Sequence, residues 1–359
     1  MEENSAIDSS NRRYEKFPAF TVHAAQETNR QIITPEHPGL YYIGRIDRKD
    51  PGAPRFIWQG TELRFSFSGR RLGLRFSDAW GQNFYNVIID GRVILLQLVE
   101  GGSHDYLLDE ILPEGWHEVI IFKRTEAMFS NAVFRGLILE RGTEMGSKPE
   151  PLPLAIEFYG DSISAGACNE DPAADQYDDY STHNNYRSYG AMTARNLNAE
   201  YVNIAVSGTG ICYSWNPVLM PEVYDKLYPE NTSERYDFSG RIPDIVLLNL
   251  GQNDYGYPNS LGKPFPSDFT EKYTELVRNL RGLYPDARII CAIGGMSAYR
   301  ESPDLQAAFK KAVDILKSAD ERIYSFVFTA YTDNHPRVDT HAKLAAELTP
   351  LIQKVVLPE

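Results

Sequence analysis

The hydrophobic period of this chain changes near residue 150, and no fold built from one class of element accommodates both patterns. Over residues 41–140 apolar side chains recur at every second position. Leu63, Phe65 and Phe67 alternate with Arg64 and Ser66; beyond Ser68 and Gly69, Leu72, Leu74 and Phe76 alternate with Gly73 and Arg75. Successive side chains of a strand point to opposite faces, so the alternation predicts antiparallel strands with one face buried. Runs at 84–89, 93–99, 118–123 and 133–139 extend it, and Asp90-Gly91 between the first two is a hairpin turn signal. No amphipathic helix of useful length interrupts them. The region reads as a β-sandwich of the jelly-roll type.

After the proline-bearing stretch EMGSKPEPLP the pattern alternates strand and helix. Short apolar runs at 155–159, 201–205, 245–250, 288–293 and 325–328 read as strands, and the third is apolar almost throughout, as a parallel strand buried on both faces is. Between them Phe269, Tyr273, Leu276, Val277, Leu280 and Leu283 share one helical face, with Asp268 and Glu271 placed for a capping box. Leu305, Ala308, Phe309, Ala312, Val313 and Leu316 repeat the spacing, and a last helix covers 342–356. The prediction is a three-layer α/β/α domain on a parallel sheet, whose ligand site lies at the carboxyl ends of its strands. The chain thus divides into an N-terminal extension (1–35), a β-sandwich (36–145), a linker (146–153) and an α/β domain (154–359).

At 359 residues the length also suits about two domains. With 36 Lys and Arg against 49 Asp and Glu the net charge is −13, which excludes nucleic acid and anionic membrane as partners. Cys168, Cys212 and Cys291 are too few and too scattered for a disulfide framework or a zinc motif. The polar start lacks a basic flank and apolar run, so the chain as given reads as cytoplasmic, or as a mature exported form whose signal has been removed. Aromatic residues at 12% are a weak pointer toward sugars.

The chemistry sits where strands end. The run 155–159 leads directly into Gly160-Asp161-Ser162-Ile163. A serine one step beyond a buried strand, at a helix start, is exposed on a tight turn where free N–H groups also stabilise an oxyanion. The ordinary reading of such a serine is a helix cap. The run 201–205 is followed by Ser207-Gly208, where a glycine lets backbone N–H approach a ligand, and the run 245–250 by Gly251-Gln252-Asn253-Asp254, where Asn253 offers an amide donor. An ordinary turn accounts for both equally. His335, in Asp333-Asn334-His335-Pro336, follows the last strand on the same edge and is the candidate base, while His341 reads as a solvent-facing or capping residue. The two histidines with Asp333 and Asp339 are an alternative metal set, but their spacing matches no common zinc pattern; the reading is no metal and no cofactor.

These four blocks, in order over some 180 residues and each at a strand end, resemble the SGNH (GDSL) hydrolase superfamily. The resemblance implies Ser162 as nucleophile, His335 as general base, and an oxyanion hole from Ser162 N–H, Gly208 N–H and Asn253. Lys123-Arg124-Thr125-Glu126, Asn169-Glu170 and Tyr236-Asp237-Phe238-Ser239 narrow it to carbohydrate esterase family 2, which joins a jelly roll to an SGNH domain and removes acetyl groups from xylan and mannan. The match runs from about Tyr42 onward. Most SGNH enzymes place the acid three residues before the histidine, where this chain has Thr332; Asp333, two residues before, is the family 2 arrangement, acting through its side chain or only its backbone carbonyl. Acetyl is small, so selectivity must come from the alcohol side. Trp215, Tyr213 and Tyr255 follow the oxyanion blocks closely enough to line a cleft, or they are core aromatics.

The expected function is therefore a serine esterase acting on an acetylated glycan. An SGNH lipase or thioesterase would need a wide apolar cleft, against which the acidic, polar residues 168–183 argue. The other alternative is a non-catalytic carbohydrate-binding protein.

Overall fold

The computed structural model describes residues 6–7, 13–15, 19–24, 30–129 and 131–356, which fall into two compact units divided between Pro151 and Leu152.

The first unit is a sandwich of two seven-stranded sheets. The alternation in the sequence is what builds it: on Glu62–Ser68, Leu63, Phe65 and Phe67 are buried while Arg64, Ser66 and Ser68 are only partly covered. Phe76 packs against Tyr85 and Phe134 at ring distances of 5.2 Å each, inside one continuous core. Asp90 and Gly91, both at positive φ, turn Phe84–Ile89 back onto Arg92–Gln97. The extension was expected to lie outside the sandwich, but part of it does not: Phe20–Ala24 pairs with Gly101–Leu108 and Gln31–Ile33 with Ala132–Leu139. These segments are too short for periodicity to reveal. The rest of that extension lies largely outside the described residues.

The motif Lys123-Arg124-Thr125-Glu126 is fully buried in this unit. Lys123 donates to the carbonyls of Thr125 at 2.5 Å and Glu126 at 3.4 Å. Burial lowers its pKa to about 7, against the opposing pull of Asp78 and Glu126.

The second unit holds a five-stranded parallel sheet of strands β1 (Leu154–Gly160), β2 (Ala199–Ala205), β3 (Ile245–Asn249), β4 (Arg288–Met296) and β5 (Ile323–Thr332), in the order 2-1-3-4-5. Right-handed crossovers then place the helices after β1 on one face and those after β3 and β4 on the other. Accordingly Tyr189–Asn196 packs with Val338–Val356, and Phe269–Leu283 with Pro303–Ala319. The direction of winding reverses between β1 and β3, and the crevice beyond the carboxyl ends at such a reversal is where doubly wound sheets bind ligands. The helix face around Phe269 and Tyr273 is buried as its spacing requires. Its capping box does not form, because Asp268 has φ −95° and ψ 6° rather than an extended conformation, and its carboxylate binds Lys272 at 2.9 Å.

β5, on the sheet edge, carries an irregularity just before the His335 loop. Val327 pairs with Ile293 but Tyr331 with Gly295, so three residues stand against Gly294. Glu347 takes the freed N–H groups of Thr329 (2.7 Å) and Ala330 (2.9 Å), and Arg300 donates to the Thr329 carbonyl at 2.7 Å.

Candidate active site

Ser162 is the first residue of the short helix Ser162–Ala165, directly after β1, and Asp161 caps it by accepting from Ile163 N at 3.0 Å. The turn requires Gly160: a Cβ there would lie 2.1 Å from Ser164 Oγ. β2 and β3 flank β1 with Ala205 and Asn249 both paired to Gly160, so the segments leading to Gly208 and Asn253 start level with the Ser162 turn. Asn253 Nδ2 donates to Asp161 Oδ2 at 3.2 Å and to the Thr209 carbonyl at 2.8 Å, tying all three strand ends together. Gly208 has φ +77°, which a side chain would resist, and its carbonyl accepts from Trp215 N at 2.9 Å.

That bond carries Trp215 to the Gly208 loop, with 56% of its surface exposed. Its ring meets Tyr257 edge-on at 5.0 Å, and Tyr213 lies 6.2 Å from the same Tyr257. Of the tyrosines singled out from sequence, Tyr213 joins this cluster, whereas Tyr255 is half-buried on the helix Gln252–Ser260 without a ring contact to it. The helical spacing explains the substitution of Tyr257 for Tyr255: two residues on, a side chain points about 200° round the helix. Asp254 holds the turn beneath, its carboxylate accepting from Ile211, Cys212 and Tyr213 N. Burial raises its pKa to about 6 despite those donors.

His335 is held by a residue the sequence reading missed. Its Nδ1 lies 2.7 Å from Oδ2 of Asp175, 160 residues earlier. Asp333, expected as the acid, is exposed on the bend that leads to His335, and its side chain does not hold the imidazole; Asp175 takes that place. Thr332, at the usual SGNH acid position, donates to the Asn334 carbonyl at 2.7 Å. Arg337 completes the arrangement by donating to the other Asp175 oxygen at 2.8 Å. Burial would raise the Asp175 pKa, but hydrogen bonds from His335 and Arg337 outweigh it and hold the carboxyl well below the usual range. Tyr177, 60% exposed, sets its ring edge-on to His335 at 5.7 Å and donates to Asp175 at 3.3 Å. One signal in the sequence pointed this way: Thr332 leaves the histidine without its usual acid, and the densest acidic stretch after the nucleophile is 168–183.

His341 is not solvent-facing. It is fully buried, accepts from Tyr189 N at 3.2 Å, and burial together with nearby His335 pushes its pKa down to about 3. Asp333 and Asp339 are exposed and gather no metal set with it. The one group of possible ligands among the described residues is Cys168, Asp175 and His335. It does not fit a cation: both Asp175 oxygens are engaged, one by a guanidinium, and burial keeps the Cys168 thiol protonated.

A serine at a strand-to-helix turn, donors from two neighbouring strand ends and an Asp-bound histidine on the same sheet edge define a GDSL-like acylhydrolase site. Residues 158–349 match the model of the GDSL-like Lipase/Acylhydrolase family, and residues 42–149 that of the Carbohydrate esterase 2 N-terminal domain. The chain is 33% identical over 326 residues to the cellulase/esterase CelE of Acetivibrio thermocellus, covering 88% of itself and 39% of that protein, so it spans about two fifths of that relative's length. It is 26% identical to an acetylxylan esterase / glucomannan deacetylase of Cellvibrio japonicus, with 92% of each covered. The structure of an active-site mutant of a family two carbohydrate esterase from Clostridium thermocellum superposes with a TM-score of 0.80 at 30% identity, covering 89% of this chain and 98% of that one. The chain belongs to carbohydrate esterase family 2.

Proposed function

We propose that this protein is a serine esterase that removes O-acetyl groups from plant polysaccharides or their oligosaccharides, xylan and mannan among them, through an acyl-enzyme. The observation that carries the reading is the ionised Asp175 on His335 Nδ1. An Nδ1–H donated to that carboxylate leaves the Nε2 lone pair free to act as base.

His335 takes the Ser162 hydroxyl proton as Oγ attacks the acetyl carbonyl. Asp175 stabilises the imidazolium so formed. Ser162 N–H, Gly208 N–H and Asn253 Nδ2 receive the oxyanion; of the two Asn253 contacts, the longer one to Asp161 is the one an oxyanion takes over. The C–O bond to the sugar breaks, the sugar oxygen leaves with the proton from His335, and water activated by the same histidine hydrolyses the acetyl-serine. Trp215, backed by Tyr257 and Tyr213, supplies an exposed aromatic face for the sugar on the alcohol side. The relatives acting on acetylxylan and glucomannan support that choice of substrate.

Acetate release from acetylated xylan and glucomannan tests the proposal. Wild type releases acetate, and Ser162→Ala falls by on the order of 10⁴-fold or more. A Ser162→Ala variant with wild-type release sinks it. On nitrophenyl esters acetate outruns longer acyl chains; a preference for long chains makes the protein a lipase or thioesterase instead.

A further inference from the structure

We infer that Arg337 is a positioning residue for the reaction: its guanidinium fixes the angle at which Asp175 meets His335 and shares that carboxylate's charge. The inference rests on the Ser162–His335–Asp175 reading and deepens it.

Asp175 needs such a device because no strand or helix carries it. It lies between the left-handed cap Gly166 and the 3-10 turn Tyr180–Thr182, in a stretch redirected by Cys168 at φ +54°. A carboxylate there has no ladder to hold its backbone. Arg337 supplies the missing anchorage from the histidine side. Its Nη1 reaches the carbonyls of Cys168 (3.0 Å) and His335 (2.9 Å) as well as Asp175 Oδ1 (2.8 Å), and its Nη2 reaches the Ala173 carbonyl at 2.6 Å. The acceptors belong to both partners of the pair, so one planar fork locks the acid segment onto the base loop. Close by, Val338 N donates to the Asn169 carbonyl at 3.1 Å and extends the seam.

The two Asp175 oxygens divide the work. Oδ2 takes His335 Nδ1 at 2.7 Å and His335 N at 3.3 Å, and Oδ1 takes the guanidinium. A cation on one oxygen withdraws charge from the other, which lessens the pull of Asp175 on an imidazolium. Among the described residues Tyr177 and Cys168 act on Asp175 and His341 on His335, with Asp171 beside Cys168; burial pushes the Tyr177 hydroxyl and the Cys168 thiol up and His341 down, so at neutral pH these three are uncharged. Arg337 is the cation bound directly to Asp175.

Geometry and charge separate experimentally. Arg337→Lys keeps the charge but cannot span four acceptors; Arg337→Gln removes the charge as well. For Arg337→Lys, kcat falls by about tenfold or more with KM within roughly twofold, and the acid limb of the kcat/KM profile stays at its wild-type pH. For Arg337→Gln, kcat falls at least as far and the acid limb moves up by roughly half to one pH unit, because an unshared carboxylate favours the protonated imidazole. Wild-type kcat in Arg337→Lys, or an acid limb in Arg337→Gln at or below the wild-type position, overturns the inference; a merely structural arginine moves no limb. Asp175→Asn separates the two levels. If it retains wild-type kcat/KM, the triad reading fails first; if it collapses while both Arg337 variants match wild type, the inference alone fails.

Discussion

The two halves of the site are built on different principles. Ser162, Gly208 and Asn253 stand within a few residues of three adjacent parallel strands, so the sheet's own ladder sets their spacing, and the Asn253 bonds to Asp161 and the Thr209 carbonyl add to a placement the backbone already makes. His335 and Asp175 stand on loops, and their relation is set by side-chain bonds, chiefly to each other and to Arg337. A backbone-built half tolerates the loss of any one side chain with its geometry intact. A half built from mutual polar bonds loses part of its geometry when one member goes, because the partly buried groups left behind lose a partner that fixed them.

The largest effect that separates the halves is expected at the acid. Asp175→Asn lowers kcat/KM by on the order of 10³-fold, through the wrong histidine tautomer, while Asp333→Asn stays within about twofold of wild type. Equal losses in both variants, or a loss confined to Asp333→Asn, erase the contrast. Next comes the strand-end half. Asn253→Ala costs about 10²-fold in kcat, the usual worth of one oxyanion donor, with an unshifted pH profile because neither the base nor its acid is disturbed. A displaced acid limb in that variant shows the halves coupled after all. Smaller still, Trp215→Ala raises KM for acetylated oligosaccharides several-fold, by about 1 kcal/mol, and leaves kcat on a small nitrophenyl acetate nearly unchanged. Loss of kcat on the small ester places Trp215 among the groups that hold Gly208.

Lys123 tests the same contrast away from the catalysis, as a buried polar group held by its bonds. Its folded pKa of about 7 lies below the unfolded value, so the unfolded chain binds the extra proton and stability rises with pH across roughly 7 to 10. Lys123→Met has no such group. The stability difference, wild type minus variant, therefore shifts toward wild type by up to about 1.4 kcal/mol per pH unit in that window. Urea midpoints at pH 6, 8 and 9.5 measure it, and a pH-independent difference refutes the neutral buried amine.

The contrast also explains what could be read in advance. The strand-end half was legible because an apolar run such as Ile245–Asn249 announces a buried strand, and the residues after it inherit a position. The sandwich was legible for the same reason of period. Asp175 was not, since it sits among Asp171, Asp178 and Asp179 in a stretch with no period, and its partner lies 160 residues away. Tyr257 was missed in favour of Tyr255 because the helix Gln252–Ser260, which carries Pro258, has no apolar stripe to fix its facing. Phe20–Ala24 and Gln31–Ile33 belong to the sandwich through pairing partners far along the chain, which local pattern does not disclose.

The irregularity in β5 has a second consequence. A strand of ten residues on a sheet edge is a template onto which a foreign strand can add, and repeated addition is how native sheets begin to aggregate. Here two edge N–H groups are already taken by Glu347 and the carbonyl of Thr329 by Arg300, beside a local break in register. An incoming strand meets occupied donors, an occupied acceptor and a kink. The residues that lead the chain toward His335 therefore also guard the sheet against unwanted company.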